Sequence, residues 1–260
     1  MYNFELPNIP ERTVKPRKTG LTMVMDKGLS LRQAEDFISM NADYTDFVKL
    51  GFGTSLVTKN LKEKIKLYQN AGMKVYLGGT LLEGFVIRNR FEDYLRCLDN
   101  YGIDCAEVSD GSITIPHEEK CEYISKLAKD HYVVSEVGSK EEGVIIHPAR
   151  WISMMKEELK AGSKKVIAEA RESGTVGIFH KNGSAHRLLI NRIVTKVKLE
   201  NIIWETPQKS QQVYFINMFG ANVNLGNIGY EDVIPLETLR LGLRGDTFFT
   251  FLPDTMKNSI

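Results

Sequence analysis

Short apolar segments and longer amphipathic segments alternate along almost the whole chain, and this alternation limits the fold more than any other feature of the sequence. Eight strand-like segments can be read after residue 20, each followed by a helix-like segment, and the eighth covers residues 222–225. Such alternation implies a parallel sheet with right-handed crossovers. Eight units in 260 residues favour a closed barrel over an open doubly wound sheet. We therefore expect a single (β/α)8 TIM barrel at residues 21–260, preceded by an N-terminal arm at residues 1–20.

Composition excludes several classes of protein. The net charge of +1 gives no basis for a nucleic-acid or membrane-surface partner, and no apolar run approaches the ~20 residues of a membrane span. The N-terminal segment lacks the apolar core of a signal peptide, and the three cysteines fit no metal spacing. Neither a GxGxxG nor a Walker A pattern is present. The sequence thus predicts a cytoplasmic protein without nucleic-acid or membrane partners.

Charged side chains collect where the predicted strands end. The stretch 164–174 begins as an apolar strand and ends in charges, with Glu169 and Arg171 on one face because strand side chains alternate. Reading the carboxyl ends of the strands gives one set of polar residues: Asp26, Lys49, Glu107, Glu136, Glu169, Glu205 and Asn224. In (β/α)8 barrels the active site lies at this end. The set therefore predicts a functional cluster, against the alternative of a solvated barrel rim.

The chemistry of this set is fairly specific. Its five carboxylates would repel each other unless they were balanced by a divalent cation, by Lys49, Arg171 and Lys140, or by raised pKa values. Oxygen ligands without a histidine or cysteine cluster suit Mg²⁺ better than Zn²⁺. Cations beside a metal suit an anionic substrate such as a phosphorylated carboxylic acid. The spacing leaves open which carboxylates bind metal and which orient the cations.

Loops after the strands supply further candidates. Gly226 and Asn227 could present backbone N–H groups to a phosphate, as loops after the seventh and eighth strands of barrels often do. Ser109 follows Glu107 at even spacing and would share its face. The loop 171–186 contains three glycines and is long enough for a lid, although a passive surface loop is an equal alternative.

Several motifs in order resemble one known family, that of phosphosulfolactate synthase (ComA). The matching segments are Val48–Ser55, Glu107–Gly111, Glu136–Gly138, Glu169–Gly174, Asn224–Asn227 and Gly242–Thr247. The resemblance implies a (β/α)8 barrel and a lyase that adds sulfite to phosphoenolpyruvate in a Mg²⁺-dependent reaction, giving (2R)-phospho-3-sulfolactate. We also expect a homo-oligomer.

The resemblance assigns roles to the candidate residues. The family places a lysine close after Glu-Val-Gly, and here Lys140 follows that motif by two places, so it is the expected general acid, with Lys49 as the competitor. Arg171 is the expected anion contact. The other expected substrate contacts are Ser109, Asn224, Gly226 and Asn227, and the expected metal ligands are Asp26, Glu107, Glu136, Glu169 and Glu205.

The functions of related barrels suggest two alternatives for this protein. Relatives of this family include plant heat-stress-associated barrels, so a stress-related or binding role without turnover is one alternative. Another phosphoenolpyruvate or phospho-sugar enzyme on the same scaffold is a second.

Overall fold

A computed structural model describes residues 2–138 and 146–257, and it confirms the predicted (β/α)8 barrel. The eight strands are β1 Thr22–Asp26, β2 Phe47–Leu50, β3 Lys74–Leu77, β4 Cys105–Val108, β5 Tyr132–Val137, β6 Lys165–Ala168, β7 Ile202–Glu205 and β8 Leu225–Gly229. Every hydrogen-bonded strand pair of the described chain is parallel, in the order β3-β2-β1-β8-β7-β6-β5-β4. The strands β3 and β4 lie side by side and nearly close the barrel.

Helices follow the strands and form the outer layer. Their bounds are α1 Leu31–Asn41, α2 Leu61–Asn70, α3 Gly79–Val86, α4 Phe91–Tyr101, α5 His117–Leu127, α6 Pro148–Ala161, α7 Arg187–Val194, α8 Lys209–Phe219, α9 Val233–Arg240 and α10 Asp254–Lys257. Local sequence sets several of these bounds: Ser30 and Gln33 form a capping box at the start of α1, and Gly102 ends α4 in a left-handed conformation. The short helix α3, which lies between β3 and α4, was not predicted from the sequence.

Strand side chains alternate between the barrel interior and the helix layer. A buried apolar cluster fills the amino-terminal part of the interior: Leu21, Met23, Phe47, Tyr76, Cys105, Val134, Ile167 and Ile203. Two residues beyond the members on β2, β4, β5, β6 and β7 comes a charged residue in each case: Lys49, Glu107, Glu136, Glu169 and Glu205. Side chains two residues apart share a face, so the apolar cluster forms the floor on which the charged residues stand.

The eighth strand lies later in the chain than the sequence predicted. Residues 222–224 precede β8, and Asn224 is buried at the amino-terminal end of the barrel. Its side-chain oxygen accepts from Leu21 N at 3.1 Å, and its side-chain nitrogen donates to the carbonyl oxygens of Glu200 and Ile202 at 3.0 Å each. The prediction of Asn224 as a substrate contact is therefore wrong, because its amide joins strand starts.

A buried arginine ties the amino-terminal end of the barrel together. Arg240, in α9, donates from Nη1 to the carbonyls of Ala221 and Val223 at 2.7 and 2.6 Å, and from Nη2 to Leu21 O at 3.2 Å. Burial lowers the pKa of its guanidinium to about 9, with the nearby Arg12 adding to the effect. The guanidinium of Arg240 is therefore buried despite the cost of removing it from water. Loss of its hydrogen bonds should lower the stability of the fold.

The N-terminal segment before β1 packs across the same end of the barrel. Arg12 forms an ion pair with Glu237 of α9, Nε to Oε1 2.8 Å, and donates to Ala221 O at 3.0 Å. Lys15 Nζ donates to the carbonyls of Ala42 and Thr45 at 2.9 and 2.6 Å. These contacts cover the end of the barrel opposite to the carboxyl ends of the strands.

Replacing Arg240 tests this closure. Arg240→Ala should lower the free energy of unfolding by about 3 kcal/mol, because it withdraws a buried donor from three carbonyl groups at about 1 kcal/mol each. The measurement is urea unfolding followed by tryptophan fluorescence. The exposed Arg192→Ala is the matched control and should change the free energy by no more than ~0.5 kcal/mol. Equal effects of the two variants would contradict this role of Arg240.

Candidate active site

One buried lysine lies among three carboxylates inside the carboxyl end of the barrel. Lys49 Nζ is 2.9 Å from Glu107 Oε2, 3.2 Å from Glu136 Oε2 and 3.7 Å from Glu205 Oε1. All four side chains are buried. With Glu169, which is also buried, they make up what we call the inner cluster: Lys49, Glu107, Glu136, Glu169 and Glu205.

The charged groups of this cluster shift one another's pKa values. Burial alone would lower the pKa of Lys49, but Glu107, Glu136 and Glu205 outweigh burial and hold that pKa well above its ordinary value. Burial raises the pKa of Glu205 to about 7, against the opposing effect of Lys49. Burial likewise raises the pKa of Glu107. Lys49 therefore stays protonated, whereas Glu205 changes charge near neutral pH.

Three of the carboxylates are close enough together to bind one cation. Glu136, Glu169 and Glu205 can each offer one oxygen such that all three oxygens lie within 4.8 Å of one another. Backbone amides orient two of them: Ala170 N donates to Glu205 Oε2 at 3.0 Å, and Arg171 N donates to Glu169 Oε1 at 2.6 Å. Buried oxygen donors of this kind, from adjacent strands, fit a hard divalent cation such as Mg²⁺.

Glu107 lies outside this group of three. Its Oε1 accepts from Gly79 N, the first residue of α3, at 2.7 Å, while its Oε2 faces Lys49. A Cβ atom at position 79 would lie 2.1 Å from Ser109 Oγ and 2.8 Å from Glu107 Oε1, so only glycine fits there. In this arrangement Glu107 binds both the lysine and the start of α3, and it stands apart from the three carboxylates whose oxygens lie close together.

A cavity of about 370 Å³ opens above the inner cluster. Four residues of the inner cluster line it together with residues of the rim: Met25, Lys49, Phe52, Gly78, Thr80, Glu136, Glu169, Arg171, Glu172, Ser173, Glu205 and Asn227. Arg171 and Asn227 both have left-handed backbone conformations, with φ of 53° and 60°. The volume suits a small metabolite. The positive charge of Arg171 on the rim suits a metabolite that is an anion.

Asp26 was predicted as a metal ligand, and the structure corrects this. Its Oδ1 accepts from the amides of Gly28 and Leu29 at 2.7 and 2.8 Å. Its Oδ2 lies 2.7 Å from Lys64 Nζ and 3.0 Å from Tyr68 OH, both of α2. Asp26 therefore faces the helix layer, where it fixes the loop after β1.

Ser109 and Gly226, which were predicted as substrate contacts, do not line this cavity. Ser109 is fully buried, and its hydroxyl donates to the carboxylate of Glu83, a residue of α3. Gly226 packs against the apolar floor, since a Cβ atom there would lie 2.7 Å from Met23 Cε and 2.9 Å from Ile203 Cγ2. Glu83 was missed by sequence reasoning because α3 was missed; its only signal was a carboxylate in an otherwise apolar segment.

Two glutamines of the β7–α8 region fasten the loop that follows β6. Gln208 Nε2 donates to Ser173 O at 2.6 Å, and Gln211 Nε2 donates to Gly174 O at 2.7 Å. Across the cavity mouth, Glu172 of this loop forms an ion pair with Lys27, which follows β1. The loop thus borders the cavity from above.

Lys140, the predicted general acid, lies outside the described residues.

Fold and site together define a class: a (β/α)8 barrel with a buried, carboxylate-rich site for a small ligand at the carboxyl ends of its strands. Comparison with known proteins gives the family. A sequence profile described as (2R)-phospho-3-sulfolactate synthase (ComA) matches residues 10–246. The chain belongs to this family of enzymes, as the resemblance in sequence motifs predicted.

Named relatives agree with the family assignment. The chain is 40% identical over 252 residues to "Phosphosulfolactate synthase" of Bacillus subtilis, which covers 96% of this chain and 100% of the relative. It is 44% identical over 238 residues to the protein of the same name from Methanocaldococcus jannaschii, covering 88% of this chain and 94% of the relative.

Solved structures show the same fold at low sequence identity. One is 3-hexulose-6-phosphate synthase from Salmonella typhimurium, with a TM-score of 0.54, 15% identity, and coverage of 86% of this chain and 100% of that one. Another is a putative dihydrodipicolinate synthase family protein from Coccidioides immitis, with a TM-score of 0.55, 10% identity, and coverage of 90% and 72%. In the described ranges, no helix combines the length and apolar character needed to cross a bilayer.

The raised pKa of Glu205 predicts a pH dependence of stability. Between its ordinary value of 4.5 and about 7, the folded state keeps a proton that the unfolded state has released. The free energy of unfolding should therefore fall as pH rises from about 5 to 7, by up to ~1.4 kcal/mol per pH unit.

Glu205→Gln should flatten this decline, because glutamine does not titrate and still offers an acceptor to Ala170 N. The measurement is urea unfolding of both proteins at several pH values with a metal chelator present. Parallel curves for the two proteins would show that Glu205 does not titrate in this window.

Proposed function

We propose that the protein is a phosphosulfolactate synthase, which adds sulfite to phosphoenolpyruvate in a Mg²⁺-dependent reaction and gives (2R)-phospho-3-sulfolactate. One observation supports this most: at the base of the cavity, Lys49 lies within 4 Å of Glu136 and Glu205, and these two with Glu169 are spaced for one cation. The family match over residues 10–246 supports the choice of reaction. Cytoplasmic location and homo-oligomeric assembly remain predictions from the sequence.

The proposed cation ligands are Glu136, Glu169 and Glu205. Bound there, Mg²⁺ would supply positive charge to the substrate carboxylate and so favour electron density developing beside it. Glu205 must release its proton to serve as a ligand, which its pKa of about 7 allows near neutral pH. Binding of the cation should therefore release protons below pH 7.

The proposed addition needs one new C–S bond and one proton. Sulfite sulfur supplies an electron pair to the methylene carbon of phosphoenolpyruvate, the C=C π electrons move to the α-carbon, and a lysine ammonium protonates that carbon. No group leaves. We assign the proton donor to Lys140 on the family pattern. Lys49 remains the alternative, although three carboxylates and a strongly raised pKa suit it better to balancing charge than to giving up a proton.

Two residues on the cavity rim complete the proposal. The exposed guanidinium of Arg171 can reach an anionic group of a ligand in the cavity, either phosphate or sulfite. The amide of Asn227 lines the same cavity and can add a neutral hydrogen bond. The backbone N–H of Arg171 is already used to orient Glu169, so this residue connects the rim to the cation ligands.

A direct assay tests the proposed reaction. Purified protein is incubated with phosphoenolpyruvate, sulfite and Mg²⁺, and phosphosulfolactate is followed by mass spectrometry. Product should form only when all three are present. Absence of a sulfite-dependent product at high enzyme concentration would overturn the proposal and favour a barrel with a stress-related or binding role.

Lysine variants test the assignment of the proton donor. Lys140→Ala should lower kcat by about 100-fold or more while changing the KM for phosphoenolpyruvate little, because general acid catalysis typically contributes 10²–10⁴-fold. The exposed Lys196→Ala is the matched control and should keep the wild-type rate. If Lys140→Ala keeps the rate and a folded Lys49→Ala abolishes it, Lys49 is the donor and our assignment is wrong.

A further inference from the structure

A second lysine, on the outer side of the barrel wall, contacts the backbone that carries Glu136. Lys120 of α5 is fully buried. Its Nζ donates to the carbonyl oxygen of Glu136 at 2.6 Å and lies 2.8 Å from Asp110 Oδ1 and 2.9 Å from Glu158 Oε1. One ammonium group thus joins β5, the loop after β4, and α6.

These contacts lie where the strand ladder ends. The β4–β5 register runs to the pair Val108–Ser135, and Glu136 is the next residue of β5. Asp110 comes three residues after Glu107. Lys120 therefore connects the chain just beyond Glu107 with the backbone of Glu136, and it does so beyond the last ladder pair.

The two connected residues are the two carboxylates nearest to Lys49. Glu107 and Glu136 lie 2.9 and 3.2 Å from its Nζ, and Glu136 is also one of the three proposed cation ligands. Movement of β5 against β4 would shift Glu136 relative to Glu107, so the two carboxylates could no longer both keep these distances to Lys49. Geometry of this kind is sensitive, since a displacement of about 1 Å can cost 100-fold in rate.

A contribution to the stability of the fold does not by itself explain why charged residues are buried around Lys120. Lys120 and Glu158 are both fully buried, and a buried ion pair is often no more stabilising than an apolar pair of similar volume. Although burial opposes it, Glu158 and Asp110 raise the pKa of Lys120, so the ammonium group stays charged. Neither Lys120 nor Glu158 lines the cavity over the inner cluster.

We propose that Lys120 is a positioning residue, which fixes Glu136 relative to the end of β4 so that the carboxylates of Glu136, Glu169 and Glu205 keep the spacing for one cation. It acts from outside the barrel wall through the Glu136 carbonyl and Asp110. The part of this inference that concerns the cation rests on the proposed function.

A double variant isolates the ammonium group. Lys120→Met combined with Glu158→Gln removes the charge without leaving a buried carboxylate unpaired, and Glu158→Gln alone is the matched control that keeps Lys120. The readouts are Mn²⁺ affinity by calorimetry, the Mg²⁺ concentration for half-maximal rate, thermal unfolding, and amide hydrogen exchange in residues 132–138.

The double variant should stay folded, bind Mn²⁺ about 10-fold more weakly than the control, and exchange faster in residues 132–138, because residues behind metal ligands typically contribute 10- to 100-fold to metal affinity. The Mg²⁺ requirement should rise in step, with little change in the KM for sulfite. Unchanged Mn²⁺ affinity in the folded double variant would overturn the proposal, and so would equal weakening in the control.

Three further outcomes also decide between the proposals. If the double variant does not fold, Asp110→Asn replaces it, and unchanged Mn²⁺ affinity and exchange there would overturn the role of Lys120. If the wild type binds Mn²⁺ but forms no phosphosulfolactate, the proposed reaction fails while the positioning role stands. If the wild type binds no Mn²⁺, unchanged hydrogen exchange in the variant overturns the positioning role independently.

Discussion

The structure depends on one electrostatic constraint, the burial of the Lys49 ammonium group among the carboxylates at the carboxyl end of the barrel. Lys49 balances part of the negative charge of Glu107, Glu136 and Glu205, and burial raises the pKa of Glu205 to about 7 so that it can stay neutral. Glu169 adds a further carboxylate at close range. When all four are ionised, Lys49 offsets only one of their negative charges, and a divalent cation would offset two more.

Buried charged residues lie on both sides of the barrel wall, and this arrangement allows the inner charges to be buried. Inside, an apolar floor lies beneath the charged residues and excludes water from below. Outside, buried lysines hold the strand ends in place: Lys64 binds Asp26 at the end of β1, and Lys120 binds Asp110 and the Glu136 carbonyl. The inner charges face the cavity, while the outer charges fix the loops and strands that carry them.

Much of the site could be read from the sequence because strand geometry is so regular. Lys49 and the four inner glutamates follow apolar residues at a spacing of two, which places them on the same face as the floor. The same rule failed for Asp26, since both faces of β1 carry apolar residues and the sequence does not say which face is inward. Asp26 shares its face with Val24, which packs in the outer core.

Other misassignments came from features that local pattern does not contain. Asn224 was placed at the wrong end because β8 begins later than its apolar pattern suggested. Ser109 lies on the face predicted for it, but α3 brings Glu83 to its hydroxyl, and α3 starts at glycines that read as a turn. The sequence does not single out Lys120 and Glu158, because each has the pattern of an ordinary charged residue of an amphipathic helix.

The most direct test of the account is a crystal structure with Mn²⁺ as a substitute for Mg²⁺, analysed by anomalous scattering. We predict one anomalous peak, from a Mn²⁺ ion bound by oxygens of Glu136, Glu169 and Glu205, with Glu107 still paired to Lys49. A peak at Asp26, or an empty cavity at saturating Mn²⁺, would contradict it.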